Sequence, residues 1–335
     1  TLVSITDVRT GENDYLEDAD GTDNDAAVDA IYGPITGGIT IPYSGTAEID
    51  TTYQEFRLSG GAEVLTWFAG ISYYNEETEA PDYLVDLIET AYGLGSLASS
   101  VVENEGDNDS YGVYGDATWN VTDNFALIGG VRWSYDEKDW CTHTIEDGFG
   151  DAGGPTDGQL CTDEDWSEVT SRLVGQYNIS DDVMVFASVA EGYKGGGFNN
   201  SAADTNGDYM GDTIVPFDPE TSIAYELGIK SMLMDGKLQL NASVFYTEFD
   251  DLQIQTTTIA TGLQTTNGGD AETNGLEAEL NYSPVEGLVL MANYAYLDAE
   301  FTGGEVDGND LAYAPESTFS VGANLDHQFL GGTLN

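Results

Sequence analysis

Positive charge is scarce. Eight Lys and Arg stand against 61 Asp and Glu in 335 residues, a net charge of −53. A surface that acidic repels a polyanionic backbone, so nucleic-acid partners are excluded. Long apolar runs are missing too: the longest, Val183 to Ala190, is about eight residues, against the roughly 20 that a membrane-crossing helix needs. No charged segment leads into an apolar stretch after Thr1, so no signal peptide is visible. The chain opens without Met and stops at Asn335, which reads as an internal piece of a longer protein. Histidine is limited to His143 and His327, whereas a hydrolase needs a His paired with a nucleophile or an activating carboxylate in one region. No Gly-x-Ser-x-Gly, His-Glu-x-x-His or phosphate loop appears, so no enzyme is expected. Disorder is excluded by what the chain does contain. It is 40% hydrophobic and 11% aromatic, with 20 Tyr, too much for a solvated acidic tail.

The apolar residues alternate with polar ones. Phe125, Leu127, Val131, Trp133 and Tyr135 share one face, opposite Ala126, Gly130, Arg132 and Ser134. Leu238, Leu240, Ala242, Val244 and Tyr246 alternate with Gln239, Asn241, Ser243 and Thr247, and Leu276, Ala278, Leu280 and Tyr282 with Glu277, Glu279 and Asn281. Such period-2 runs predict about twelve strands of roughly 9–14 residues, a length suited to tilted strands crossing a bilayer.

Short turns (Gly60-Gly61, Thr122-Asp123, Ser180 to Asp182, Asp235-Gly236, Pro284 to Gly287) alternate with long connections over 10–45, 78–108, 139–167, 195–218, 251–270 and 301–314. Strict alternation puts every long loop at one end of a hairpin stack. The expected fold is therefore all-β, an antiparallel up-and-down transmembrane barrel segment with tight turns on one side and long acidic loops on the other. Tyr73, Tyr74, Trp119, Trp133, Tyr135, Tyr193 and Tyr246 fall near the expected strand ends, as interfacial girdles do. A soluble β-sandwich shows similar alternation and is the rival.

Particular motifs then point to a family. Ser110-Tyr-Gly-Val-Tyr-Gly-Asp-Ala-Thr-Trp119 with Gly130-Val-Arg-Trp-Ser-Tyr-Asp-Glu-Lys138, Gly192-Tyr-Lys-Gly-Gly-Gly-Phe-Asn199, Pro219 to Lys230 with Leu238 to Tyr246 and Asp250 to Gln255, Asn274 to Glu279, and Tyr294 to Ala299 resemble the barrel of TonB-dependent receptors. The resemblance covers about residues 48–328. It implies an outer-membrane barrel of about 22 strands, plugged by a domain not in this chain and energised by the TonB complex. Residues 1–335 would be part of that barrel. The implied function is import of a scarce nutrient (a metal chelate, cobalamin or oligosaccharide) across the bacterial outer membrane. A passive porin-like channel and a secreted calcium-binding sandwich adhesin are the alternatives.

Candidate sites follow. Cys141 and Cys161, the only cysteines, lie in one acidic stretch and read as a disulfide, with zinc at these two and His143 as the rival. Asp18, Asp20, Asp23 and Asp25 alternate around a Gly, as a calcium loop does, or form a solvated loop suited to a saline habitat. No cofactor is otherwise required. Arg132, Glu226, Glu277 and Glu279 should face the lumen, as plug or solute contacts or as wet wall. Tyr193, Lys194, Phe198 and Asn199 sit where ligand-binding outer loops begin in the family, though the aromatics could equally be girdle.

Overall fold

A computed structural model of the chain describes residues 1–18, 42–84, 100–147, 159–199, 213–258, 262–304, 306–329 and 332–334. The described residues are β throughout. The strands are β1 (Leu2–Asp18), β2 (Pro42–Ala62), β3 (Leu65–Leu84), β4 (Ser100–Asn120), β5 (Phe125–Asp147), β6 (Leu160–Ser180), β7 (Val183–Lys194), β8 (Glu220–Leu233), β9 (Leu238–Asp250), β10 (Gln253–Thr258), β11 (Gly262–Asn267), β12 (Ala271–Val285), β13 (Leu288–Phe301), β14 (Ser317–Leu325), β15 (His327–Phe329) and β16 (Gly332–Leu334). Twelve of them make one antiparallel meander, β1 to β9 followed by β12, β13 and β14. The hairpins β10–β11 and β15–β16 stand outside it.

Tight turns join β2 to β3, β4 to β5, β6 to β7, β8 to β9 and β12 to β13; four fall where the sequence placed them, while Gly60 and Gly61 pair with Trp67 and Thr66 and the first turn comes at Glu63 and Val64. Asp235 and Gly236 both have positive φ (56° and 82°), the type I′ geometry for which Asp-Gly is suited. At the other end the strands run much further than expected. The first six are 17 to 23 residues long, so most of 78–108 and 139–167 is strand rather than loop. Likewise β10–β11 occupies much of 251–270. Polar residues break the apolar alternation there, yet their backbones still gain a hydrogen-bonded ladder. The girdle residues Tyr73, Trp133 and Tyr135 consequently lie midway along their strands, not at the ends.

Cross-strand register sorts the side chains into rows. One face carries the row Leu58, Ala69, Gly115, Val131 and, above it, the row Phe56, Ile71, Val113, Trp133, Val169. Next comes Tyr73, Tyr111, Tyr135, with ring centroids 5.2 and 6.2 Å apart. Two rows higher stand Asp50, Glu77, Asp107, Asp139 and Asp163, five carboxylates in direct register. Further along the sheet Leu227, Val244 and Leu276 share this apolar face, and Tyr225 and Tyr246 stack one row above Leu227 and Val244.

No described residue covers these apolar rows. Val131 is 54% exposed, Leu227 59% and Val321 78%, and the buried apolar residues among those described are Ile214, Ala271, Ala299 and Phe301. The sandwich alternative is thereby overturned, since its inner rows would meet a second sheet. A greasy face this extended needs an apolar solvent. From turn to tyrosine row each strand spans about nine to eleven residues, the length that crosses a bilayer at a tilt. A charge at mid-depth is costly there, about 2–4 kcal/mol for Lys or Arg and less for a carboxylate, and on this face the carboxylates begin only above the tyrosines.

Candidate functional site

The opposite face is polar. Arg57, Gly70, Tyr114 and Arg132 form one row, with Glu55, Ser72, Gly112 and Ser134 above it. Arg132 lies 5.6 Å over the Tyr114 ring and donates to Ser134 Oγ at 2.9 Å and Ser72 Oγ at 3.4 Å. The glycines leave room: a Cβ at Gly112 would collide with the Arg132 guanidinium. Glu55 accepts from the Tyr53 hydroxyl. Its other oxygen sits 3.6 Å from Arg57 Nε, an ion-pair distance without a hydrogen bond. Arg172 grips Asp116 Oδ2 through Nε and a terminal nitrogen at 2.9 and 2.7 Å. Glu226, Glu277 and Glu279 are on this same face, around a groove of about 400 Å³ shared with Lys230, Asn241 and Ser243. Glu279 accepts from Asn241 and Asn281.

The sheet divides one residue above the Leu173–Val189–Tyr225 row, on β6 below the Ser167 that lies opposite Tyr135. β7 pairs with β6 only as far as Arg172–Ala190, while β6 continues to Leu160. The chain leaving β7 turns across the polar side of β6 and β5, through Gly195, Gly196 and Gly197. A Cβ at Gly196 would lie 2.5 Å from the Phe217 carbonyl and 2.6 Å from the Trp166 ring, so only glycine passes there. Lys138 Nζ donates to the Gly196 carbonyl at 2.7 Å and lies 5.9 Å over Trp166. Burial pulls the Lys138 ammonium below the usual lysine range, with Asp136 and Glu76 opposing. Gly197 and Phe217 exchange backbone bonds of 3.1 and 2.9 Å.

Each residue of the expected ligand set has a partner in this strap. Tyr193 donates to Asp136 Oδ2 at 2.9 Å, and burial, then the Asp136 charge, push its hydroxyl well above the ordinary tyrosine value. Lys194 faces Glu220 at 3.8 Å. Phe198 packs against Trp166 at 6.2 Å. Asn199 bonds both backbone groups of Thr265 at 2.7 and 2.9 Å. Lys138, Asp136, Trp166 and Phe217 were missed as site residues. Parity along β5 and β6 would have put the first three on the polar face with Arg132. Reading 139–167 as a loop hid that parity for Trp166.

Cys141 and Cys161 are directly opposed on β5 and β6 and are joined, with Cα atoms 4.1 Å apart. Asp20, Asp23 and Asp25 of the calcium reading lie outside the described residues, as does the side chain of Asp18. Among the described residues no group of His, Cys, Asp and Glu is arranged to hold a metal ion.

The family described as TonB dependent receptor-like, beta-barrel matches residues 6–335. The pesticin receptor of Yersinia enterocolitica is 32% identical over 244 residues, 71% of this chain and 33% of its own. The ferric-pyoverdine BN7/BN8 receptor of Pseudomonas putida is 28% identical over 68% of this chain and 26% of its own. Among solved structures, the ferric yersiniabactin uptake receptor FyuA from Yersinia pestis aligns with a TM-score of 0.72 at 24% identity, over 88% of this chain and 42% of that one. The siderophore receptor PiuA from Acinetobacter baumannii aligns at 0.68 and 18% identity, over 97% and 50%. The structural likenesses speak for the fold. The chain spans about a third of the length of the pesticin receptors it matches.

Proposed function

This chain belongs to the TonB-dependent receptor family, as β-barrel, and from that premise we propose that the whole protein takes up a scarce nutrient through the outer membrane under TonB control. The family is one of transport receptors rather than enzymes, and its place is the bacterial outer membrane. We assign residues 1–335 wholly to the barrel, with a plug domain elsewhere in the protein filling the polar side. Arg132, Glu226, Glu277 and Glu279 would then meet the plug or the passing solute.

The nutrient we favour is a metal chelate. The observation that carries this reading is the rim cluster of Trp166, Phe198, Tyr193 and Lys138, where rings that stack on a flat ligand stand beside a cation. The name of the ferric-pyoverdine receptor is consistent with it. The row from Asp50 to Asp163 faces away from this cluster, while Asp136, Glu164 and Glu168 share its polar face, so Lys138 is a local cation among acids. Calcium in the 18–25 segment stays a proposal, testable by calorimetry.

The test is uptake of radiolabelled ferric chelates by cells carrying the full-length receptor. Trp166→Ala should lower affinity at least tenfold while leaving the amount of receptor in the membrane unchanged. Uptake that ignores TonB loss would point to the passive channel instead, and uptake of cobalamin or oligosaccharide alone would remove the chelate.

A further inference from the structure

The division of the sheet leaves β6 with one edge unused. From Leu160 to Thr170 it is paired to β5, as far as Thr142–Leu160. Among the described residues no strand pairs with its other side. At the fork the amides are met by side chains. Glu191 Oε2 accepts from both the amide and the hydroxyl of Ser171 at 2.8 Å, and the amide of Val169 bonds the neighbouring Glu168 carboxylate at 3.0 Å. Alternation in an antiparallel ladder aims the amides of Asp163, Asp165 and Ser167 along that same edge. An open row of backbone donors and acceptors is a template for another strand.

Two features make this edge persistent. The glycine strap carries the continuation of β7 behind β6, pinned by Lys138, so β7 does not close the gap. The Cys141–Cys161 bond ties the top of β6 to β5 where no second neighbour stands among the described residues. The side chains along the edge are of one sign. Asp163 and Asp165 project to one face, Glu164 and Glu168 to the other, and Glu191 closes the fork. Acidic edges repel a second acidic edge, which works against pairing with another copy of this chain. The same charges favour a strand that brings Lys or Arg.

We propose that the β6 edge, Leu160 to Ser167, is a docking edge for an extended, basic polypeptide segment on the outer side of the membrane. The segment adds as a strand, its backbone supplying the hydrogen bonds and alternate basic side chains meeting Asp163 and Asp165. The proposal does not depend on which nutrient is carried.

The experiment uses the full-length receptor in detergent and a short synthetic peptide alternating lysine and threonine. Two control peptides accompany it, one N-methylated at alternate amides and one with glutamate for lysine. Hydrogen exchange of residues 160–170 and fluorescence anisotropy are the readouts. The lysine peptide should slow exchange at 163, 165 and 167 at least tenfold and bind at least tenfold more tightly than either control. The double variant Asp163→Lys, Asp165→Lys should reverse the preference toward the glutamate peptide. Equal binding by the N-methylated peptide would reduce the effect to charge attraction and overturn the proposal. So would amides already protected in the free receptor, which would mean that the protein's own chain or a second copy covers the edge.

Discussion

The hydroxyl of Tyr73 donates to Asp109 Oδ1 at 2.7 Å, one strand across and one row further from the membrane. The same arrangement recurs where Tyr246 donates to Glu272 Oε2 at 2.8 Å. In both, a ring at the edge of the apolar band is tied by its polar tip to the first carboxylate above it. The pair marks the depth at which lipid gives way to water.

Tyr73→Phe keeps the ring against Tyr111 but removes that donor. It should cost about 1 kcal/mol, the usual net worth of such a bond. Tyr73→Ala, which also loses the ring contact, should cost clearly more. Thermal unfolding of the full-length receptor measures both; a Tyr73→Phe protein as stable as the original would mean that the hydroxyl contributes nothing, and equal losses in the two variants that the ring contributes nothing.

Asp50, Glu77, Asp107, Asp139 and Asp163 stand side by side in register. Opposed like charges at roughly 5 Å repel, and the screening length shortens from about 10 Å to about 3 Å between 0.1 and 1 M salt. Raising NaCl over that range should therefore stabilise the outer ends of β2 to β6. Asp107→Asn should stabilise by about 0.5 kcal/mol at low salt and much less at high salt, as read by hydrogen exchange of 103–110. Destabilisation by salt would contradict the ladder.

Replacing both cysteines by serine (Cys141→Ser with Cys161→Ser) reopens a loop whose closure is worth about 3 kcal/mol in the chain-entropy picture. Because among the described residues β6 has only β5 beside it there, exchange of its β5-facing amides between 160 and 170 should accelerate far more than that of 172–178, where β7 also pairs. Uniform acceleration would show that the bond supports the whole sheet rather than its top.

Lys138 gives a pH signature. Its folded pKa lies below the 10.5 of a free lysine because burial penalises the charge. Between those two values the folded chain has released a proton that the unfolded chain still holds. Stability should therefore rise with pH across that window, the cost of the buried charge being fully present below it. Tyr193, raised by burial and by Asp136, acts oppositely: its contribution is complete below about pH 10 and is lost as pH climbs through its folded value. Lys138→Met should abolish the rise below pH 10, checked by denaturant unfolding at stepped pH. An unchanged pH slope would remove Lys138 as its source.

Trp133 and Arg132 illustrate what was readable from residue order. Neighbours in a strand point to opposite faces, so alternation alone separates a lipid side from a polar side, and Asp235-Gly236 announces its turn through the backbone angles those residues tolerate. Twelve strands, the meander and the direction of the tight turns all follow from such short-range signals. The upper halves of β4, β5 and β6 do not. Their residues are polar on both faces, and with both sides in water no hydrophobic period marks a strand. Only pairing with an already placed neighbour reveals it. The rim cluster is hidden for a second reason. Lys138, Trp166 and Gly196 come from three separate stretches of chain, and the close approach of Gly196 to Phe217 and Trp166 exists only once β7 has parted from β6. The free β6 edge has the same origin, since it reflects unequal lengths of two adjacent strands, a relation between elements that no single segment encodes.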